Sequence, residues 1–150
     1  MNAFADTSFL YALYRQQENS PVADAFLQTA REPVHLSSLV LFEFRQSARY
    51  QVFRFTKDRT KGFSNREAQL MLAVLQENIA SGAVAIIPVD WQEVHSIAEQ
   101  LSSRHTMTGG HRALDILHVS TAIHLKARLL LTFDKNQITL TKAAGLEVRP

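Results

Sequence analysis

A chain of 150 residues, 46% of them apolar and 20% charged, can bury one proper core, and this composition argues against a disordered polymer. The formal charge of +2 permits contact with nucleic acid without requiring it, since recognition depends on where positive charge sits. The absence of cysteine excludes disulfide frameworks, thiolate zinc sites and cysteine nucleophiles, and it suits a reducing cytoplasm. The longest apolar stretches, residues 38–44 and 127–133, fall far short of the ~20 residues of a membrane-spanning helix, so no membrane association is expected. Residues 1–9 have no basic leader and already include Asp6, so the chain is expected to begin directly with folded structure.

In chain order, residues 2–5 form a short apolar run that predicts a buried strand, with Asp6 at its C-terminal end. A helix follows through Phe9, Leu10, Leu13 and Tyr14, with Thr7 or Ser8 placed to cap it. Pro21 opens a second helix through Ala25, Phe26 and Ala30. Residues 33–36 read as a strand, and Ser37 or Ser38 caps a helix through Leu39, Phe42, Glu43, Gln46 and Tyr50. The polar and basic residues 54–62 read as a connector or hairpin tip. Ser64 and Glu67 form a capping-box pattern before a helix through Leu70, Met71, Val74 and Leu75, which Gly82 stops.

Residues 83–89 are apolar and β-branched, as a fully buried strand would be. Asp90 and Glu93 mark a further helix through Val94, Ile97, Ala98 and Leu101, and residues 106–110 read as a Gly-rich loop. A helix through Leu114, Leu117, Ile123 and Leu125 follows. Residues 129–133 then read as a strand that ends at Asp134. A helix over 137–144, a stop at Gly145 and a short strand over 146–148 complete the chain. Strands separated by helices predict one domain over residues 1–150, a three-layer α/β/α sandwich around a mostly parallel sheet. In such sheets ligands gather beyond the C-terminal strand ends, where Asp6 and Asp134 both fall.

Two further acids sit where charge is costly. Glu43 lies in the most apolar stretch of its helix, and Asp115 lies between Ala113, Leu114, Ile116 and Leu117. Taken singly, each has an ordinary reading. Asp6 serves as a helix cap, Asp134 as a turn residue, Asp115 as a helix-start acid, and Glu43 as a partner of Arg45, Arg49 or Arg112. Taken together, four carboxylates converging from two strand ends and two helices imply shared cations, because their mutual repulsion is otherwise unrelieved. Hard oxygen donors, without cysteine or a paired histidine motif, favour Mg²⁺ or Mn²⁺ over zinc. The chemistry such a site suits is phosphodiester hydrolysis by a metal-activated water.

These residues resemble the PIN-domain nucleases, and more closely the VapC-type toxins of bacterial toxin–antitoxin pairs. The resemblance rests on Ala5-Asp6-Thr7-Ser8-Phe9-Leu10 and on Ser38-Leu39-Val40-Leu41-Phe42-Glu43. It continues through Arg112-Ala113-Leu114-Asp115-Ile116-Leu117-His118-Val119 with Ala122, then Leu130-Leu131-Thr132-Phe133-Asp134-Lys135 and Ala143-Ala144-Gly145-Leu146. It implies a Rossmann-like sheet and a Mg²⁺- or Mn²⁺-dependent endoribonuclease, often dimeric and held by a small antitoxin protein. Position by position, Asp6 and Asp115 match the principal metal ligands, and Glu43 and Asp134 the rest of the acidic cluster. Ser8 and Thr132 match supporting hydroxyls. The chain departs from the pattern in its long stretch between Glu43 and Asp115, which carries the basic residues 54–66.

Within that stretch Arg54, Lys57, Arg59, Lys61 and Arg66 interleave with Phe53, Phe55 and Phe63. Cations and rings together suit single-stranded RNA, although a solvated connector is the favoured reading. Arg112, just ahead of Asp115, either meets a substrate phosphate or neutralises the acids. His118 and His124 are expected to be packing or surface residues. Gly109-Gly110 lacks the lysine of a phosphate-binding loop, and no Gly-x-Ser-x-Gly elbow is present. An RNA-binding or RNA-processing protein of the same fold, without a toxin role, is the alternative. A receiver domain or small phosphatase fits less well, since Asp6-Thr7-Ser8 lacks the second acid those sites use.

Overall fold

The computed structural model describes residues 3–150, so the expected strand start at Asn2 lies outside the described residues. Five short strands, β1 (Ala3–Ala5), β2 (Val34–Leu36), β3 (Val84–Ile86), β4 (Leu129–Leu131) and β5 (Glu147–Arg149), form one sheet in the order β3-β2-β1-β4-β5. Every pairing is parallel. The chain leaves β1 toward β2 and β3, then crosses back to β4 and β5. Right-handed crossovers therefore put α1 (Thr7–Tyr14), α2 (Ser20–Thr29), α3 (Ser38–Lys57) and α4 (Asn65–Ala80) on one face. They put α5 (Trp91–Gly109), α6 (Ala113–His124) and α7 (Lys135–Ala143) on the other. The result is the expected three-layer sandwich. The direction of travel reverses between β1 and β4, and a crevice opens there beyond their C-terminal ends.

The central strands β1 and β4 are apolar and buried throughout, as strands covered on both faces must be. Phe9, Leu10 and Phe44 pack against them from the α1–α4 side. Phe9 meets Phe26 edge to face and stacks on Phe133, and Tyr11 and Tyr14 both meet Phe44 edge on.

Several boundaries differ from expectation for identifiable reasons. Asp6, rather than Thr7 or Ser8, caps α1, accepting a hydrogen bond from Phe9 N at 3.0 Å. The buried strand expected over 83–89 is only β3; it lies at the sheet edge with one neighbour, and Ile86 is 41% exposed. The loop expected over 106–110 is instead the last turn of α5, which Gly110 ends in a left-handed conformation, φ 65°. The connector expected over 54–62 starts later, because α3 continues to Lys57 and stops at Asp58. Asp58 then accepts from Thr60 N and Thr60 Oγ1, forming a tight turn.

Ser64 does cap α4, accepting from Glu67 N at 3.2 Å, but Glu67 turns away from the box to meet Arg15. Within the connector, Gly62 has φ 68°, and a Cβ there would lie 2.1 Å from Gln51 O. Gly62→Ala is therefore expected to destabilise the fold by at least about 1–2 kcal/mol, the cost of a left-handed backbone with a side chain, measured as a lower urea midpoint at unchanged slope.

Candidate active site

The end of β1 and the end of β4 are tied by backbone and by hydroxyls. Asp6 N donates to Leu131 O at 3.1 Å, so the ladder runs up to the first acid. Thr132 Oγ1 donates to Asp6 Oδ2 at 2.6 Å, and Ser8 Oγ donates to Asp6 Oδ1 at 2.7 Å. Ser8 Oγ also accepts from Phe133 N, and Thr132 Oγ1 accepts from Asp134 N. Ser8 and Thr132, both expected as supporting residues, therefore fix the Asp6 carboxylate by both of its oxygens. Asp6 is 2% exposed, and burial pushes its carboxyl above the ordinary carboxylate range despite these bonds.

Asp115 stands in the first turn of α6 and is 6% exposed. Asp134 lies three residues past β4 rather than immediately after it, and it caps α7 by accepting from Asn136 N and Gln137 N. Three helices, α1, α6 and α7, thus present their positive N-terminal ends where Asp6, Asp115 and Asp134 gather. Arg112 joins two of these acids. Its Nε donates to Asp115 Oδ2 at 3.0 Å, while its Nη2 stands 3.5 Å from Asp115 Oδ1 and 3.5 Å from Asp134 Oδ2.

Glu43 reaches in from the second turn of α3. Its Oε2 accepts from Thr7 Oγ1 and from His118 Nε2, both at 2.5 Å, and not from any of the three arginines considered from sequence. Burial alone would raise the Glu43 carboxyl. The His118 hydrogen bond and charge, with Thr7, hold it below the ordinary range instead. His118 is therefore more than a packing residue. It follows Asp115 by three positions on α6, so the i, i+3 spacing is the signal that could have found it. His124, by contrast, pairs with Glu93 away from this cluster.

Asp6, Glu43, Asp115 and Asp134 all line one cavity of about 200 Å³, together with Thr7, Ser8, Tyr11, Arg112, His118 and Gln137. Arg54 and Lys57 do not line it; Arg54 stands eleven positions beyond Glu43 on α3, about 16 Å along the helix. Among the described residues no three acids or histidines are drawn tightly enough together to hold an ion as they stand, since Arg112 lies between Asp115 and Asp134. The donor set still fits a hard divalent cation. All four acids offer oxygen, and Gln137 buries its Oε1 without a hydrogen-bond partner.

The PIN domain family matches residues 3–143. The chain belongs to that family. It is similar in structure to VapC20 of Mycobacterium tuberculosis, described as a sarcin-ricin loop cleaving toxin. That match has 22% identity and a TM-score of 0.68, covering 99% of this chain and 100% of that one. It is also similar to VapBC2 of Rickettsia felis bound to a DNA fragment from its promoter, at 16% identity, TM-score 0.67 and coverage of 99% and 98%. FitAcB of Neisseria gonorrhoeae matches at 18% identity, TM-score 0.62 and coverage of 99% and 96%. At these identities the likeness is one of fold. No curated protein sequence matches the chain. Among the described residues of this PIN domain, no helix is long and apolar enough to cross a membrane.

Proposed function

We propose that this PIN-domain protein is a Mg²⁺- or Mn²⁺-dependent endoribonuclease, a single catalytic domain over residues 1–150 acting as the toxin of a toxin–antitoxin pair. The observation that carries the reading is the convergence of Asp6, Glu43, Asp115 and Asp134 on one cavity from four separate elements. Asp6 and Asp115 are the metal ligands in this reading, with Glu43 and Asp134 completing the negative field. A divalent cation there supplies charge to offset the carboxylates, activates water for attack and stabilises the phosphoryl oxygens.

The chain's own groups then have defined tasks. Ser8 and Phe9 N hold Oδ1 of Asp6 and Thr132 holds Oδ2, which orients the carboxylate at the wall of the cavity. His118 and Thr7 keep Glu43 ionised and pointed at the crevice. Arg112 is 69% exposed, so it can turn from the acids toward a substrate phosphate without breaking the fold.

The toxin role is supported by the fold shared with VapC20. Both partners it implies, a small antitoxin and a second copy of this chain, need apolar surface. Exposed Phe42, Tyr50 and Phe53 on α3, with Leu70 and Val74 on α4, provide it. A cysteine-free chain of this kind fits the cytoplasm.

Purified protein incubated with a panel of structured RNAs in Mg²⁺ or Mn²⁺ is expected to cut at discrete positions. Cleavage that persists in EDTA would sink the mechanism. Growth arrest on expression, relieved by co-expressing a short neighbouring reading frame, would separate a toxin from an RNA-processing enzyme of the same fold.

A further inference from the structure

Beside the carboxylate cavity lies a second concavity of about 380 Å³, and Tyr11 forms part of both walls. Its other walls come from Arg15 and Gln17 after α1, from Ser47 and Gln51 on α3, and from Phe63 in the connector before α4. Tyr11 is held upright, its hydroxyl donating to Ser47 Oγ at 2.8 Å. The lining is amide, hydroxyl, guanidinium and ring. A lipid or an apolar side chain would strand most of those polar groups.

Arg15 is the best-defined element of this concavity. Its guanidinium lies over the Phe63 ring, 4.9 Å from the centroid, and its Nε donates to Glu67 Oε1 at 2.9 Å. The planar cation is thus pinned by one face and one edge, while 35% of the side chain stays exposed. A guanidinium plane held in this way is a platform on which an unstacked base can lie.

Two amides stand around that platform. Gln51 Oε1 accepts from Arg54 at 3.4 Å, and its amide NH₂ has no hydrogen-bond partner among the described residues. Gln17 makes no side-chain hydrogen bond among them either. Free amides of this kind read donor and acceptor patterns on base edges. The far end is shut by the connector, whose Gly62 presses against Gln51 O where no Cβ would fit. Arg54 therefore acts on this concavity through Gln51, and Lys57 lies over Phe53 at 5.6 Å on the outer surface.

We infer that this concavity is a nucleobase pocket. It receives one unstacked base of a single-stranded RNA next to the phosphodiester at the carboxylates, and so selects the nucleotide that flanks the cut. The inference deepens the endoribonuclease reading and rests on it for the word "cut", but base binding can be measured without cleavage.

In EDTA, fluorescein-labelled oligo(A), oligo(C) and oligo(U) are titrated with wild type, with Arg15→Ala and with the double variant Gln17→Ala/Gln51→Ala. Wild type is expected to prefer one of the three by about tenfold, Arg15→Ala to weaken all three by about tenfold, and the double variant to erase the preference. All three residues are at least partly exposed, so their loss leaves the core intact. Binding that shows no preference, or that neither variant changes, overturns the pocket.

In Mn²⁺, sequencing the ends of a cleaved random RNA pool is expected to show a flanking-nucleotide bias that the double variant flattens while still cutting. An unchanged bias also overturns the pocket. Preferential binding in EDTA without any cleavage in Mn²⁺ would instead overturn the endoribonuclease reading and leave the pocket standing.

Discussion

Asp6→Asn is expected to lower RNA cleavage by more than about a hundredfold and, in the metal-free protein at neutral pH, to raise the melting temperature. The first effect follows from the position of the carboxylate. Loss of a group that merely orients a metal ligand costs about 10–100-fold, and Asp6 is proposed as a ligand itself. The second follows from burial. Asp6 is 2% exposed, and desolvation lifts its carboxyl above the usual range even though Thr132, Phe9 N and Ser8 bond to it. A carboxyl whose folded pKa exceeds its unfolded value, about 3.9, costs increasing stability as pH rises from that value through the folded one. The neutral amide removes that cost. The gain should therefore be present at pH 7 and vanish by about pH 3, roughly a unit below the unfolded value, where Asp6 is protonated in both states. In a chain of this size, about 1 kcal/mol of relief moves the midpoint by roughly 2–4 °C. Thermal melts in EDTA at both pH values check the sign. Asparagine caps a helix as well as aspartate does, so a variant less stable at pH 7 would mean that the bonds from Thr132 and Ser8 to the ionised carboxylate outweigh the cost of its burial.

That double character explains why the acids were legible and their company was not. Asp6, Glu43 and Asp115 each interrupt apolar sequence, and an ionisable group there must have a reason that local propensity does not supply. Asp134 was placed at the right sheet edge, but its exact position was not, because Thr132 and Phe133 continue an apolar pattern after the β4 ladder has ended. His118 was out of reach for a different reason. A histidine on the buried face of α6 looks the same in sequence whether it packs or hydrogen-bonds, and its partner Glu43 is 75 positions away. The base pocket was equally hidden. Sequence drew attention to the cations at residues 54–66, yet that concavity is built from Arg15, Gln17 and Gln51, brought together only when α1 and α3 pack. The end of α3 was misjudged because Arg54–Lys57 carries polar and basic side chains on an exposed turn, and helical hydrogen bonding there outweighs composition.

Arg112→Gln should bind Mn²⁺ about tenfold more tightly than wild type, whatever it does to cleavage. The guanidinium stands within 3.0–3.5 Å of carboxylate oxygens on both Asp115 and Asp134, the same oxygens a divalent ion would draw upon. Wild type must therefore break those contacts, or accept a like charge beside the ion, before binding is complete. Arg112 is 69% exposed, so solvent screens it strongly. Even with water-like screening, a unit charge about 5 Å from a divalent ion costs about 1–2 kcal/mol, roughly tenfold in affinity. Glutamine keeps a polar side chain of similar reach but removes the charge, so α6 should start where it does now. Calorimetric titration with Mn²⁺, free of RNA, reads this without reference to activity. Unchanged or weaker binding would mean that Arg112 aligns Asp115 for the ion instead of competing with it. Tighter binding combined with slower cleavage would give Arg112 both tasks: it holds the acids together without the metal, then turns to the scissile phosphate once the ion has displaced it.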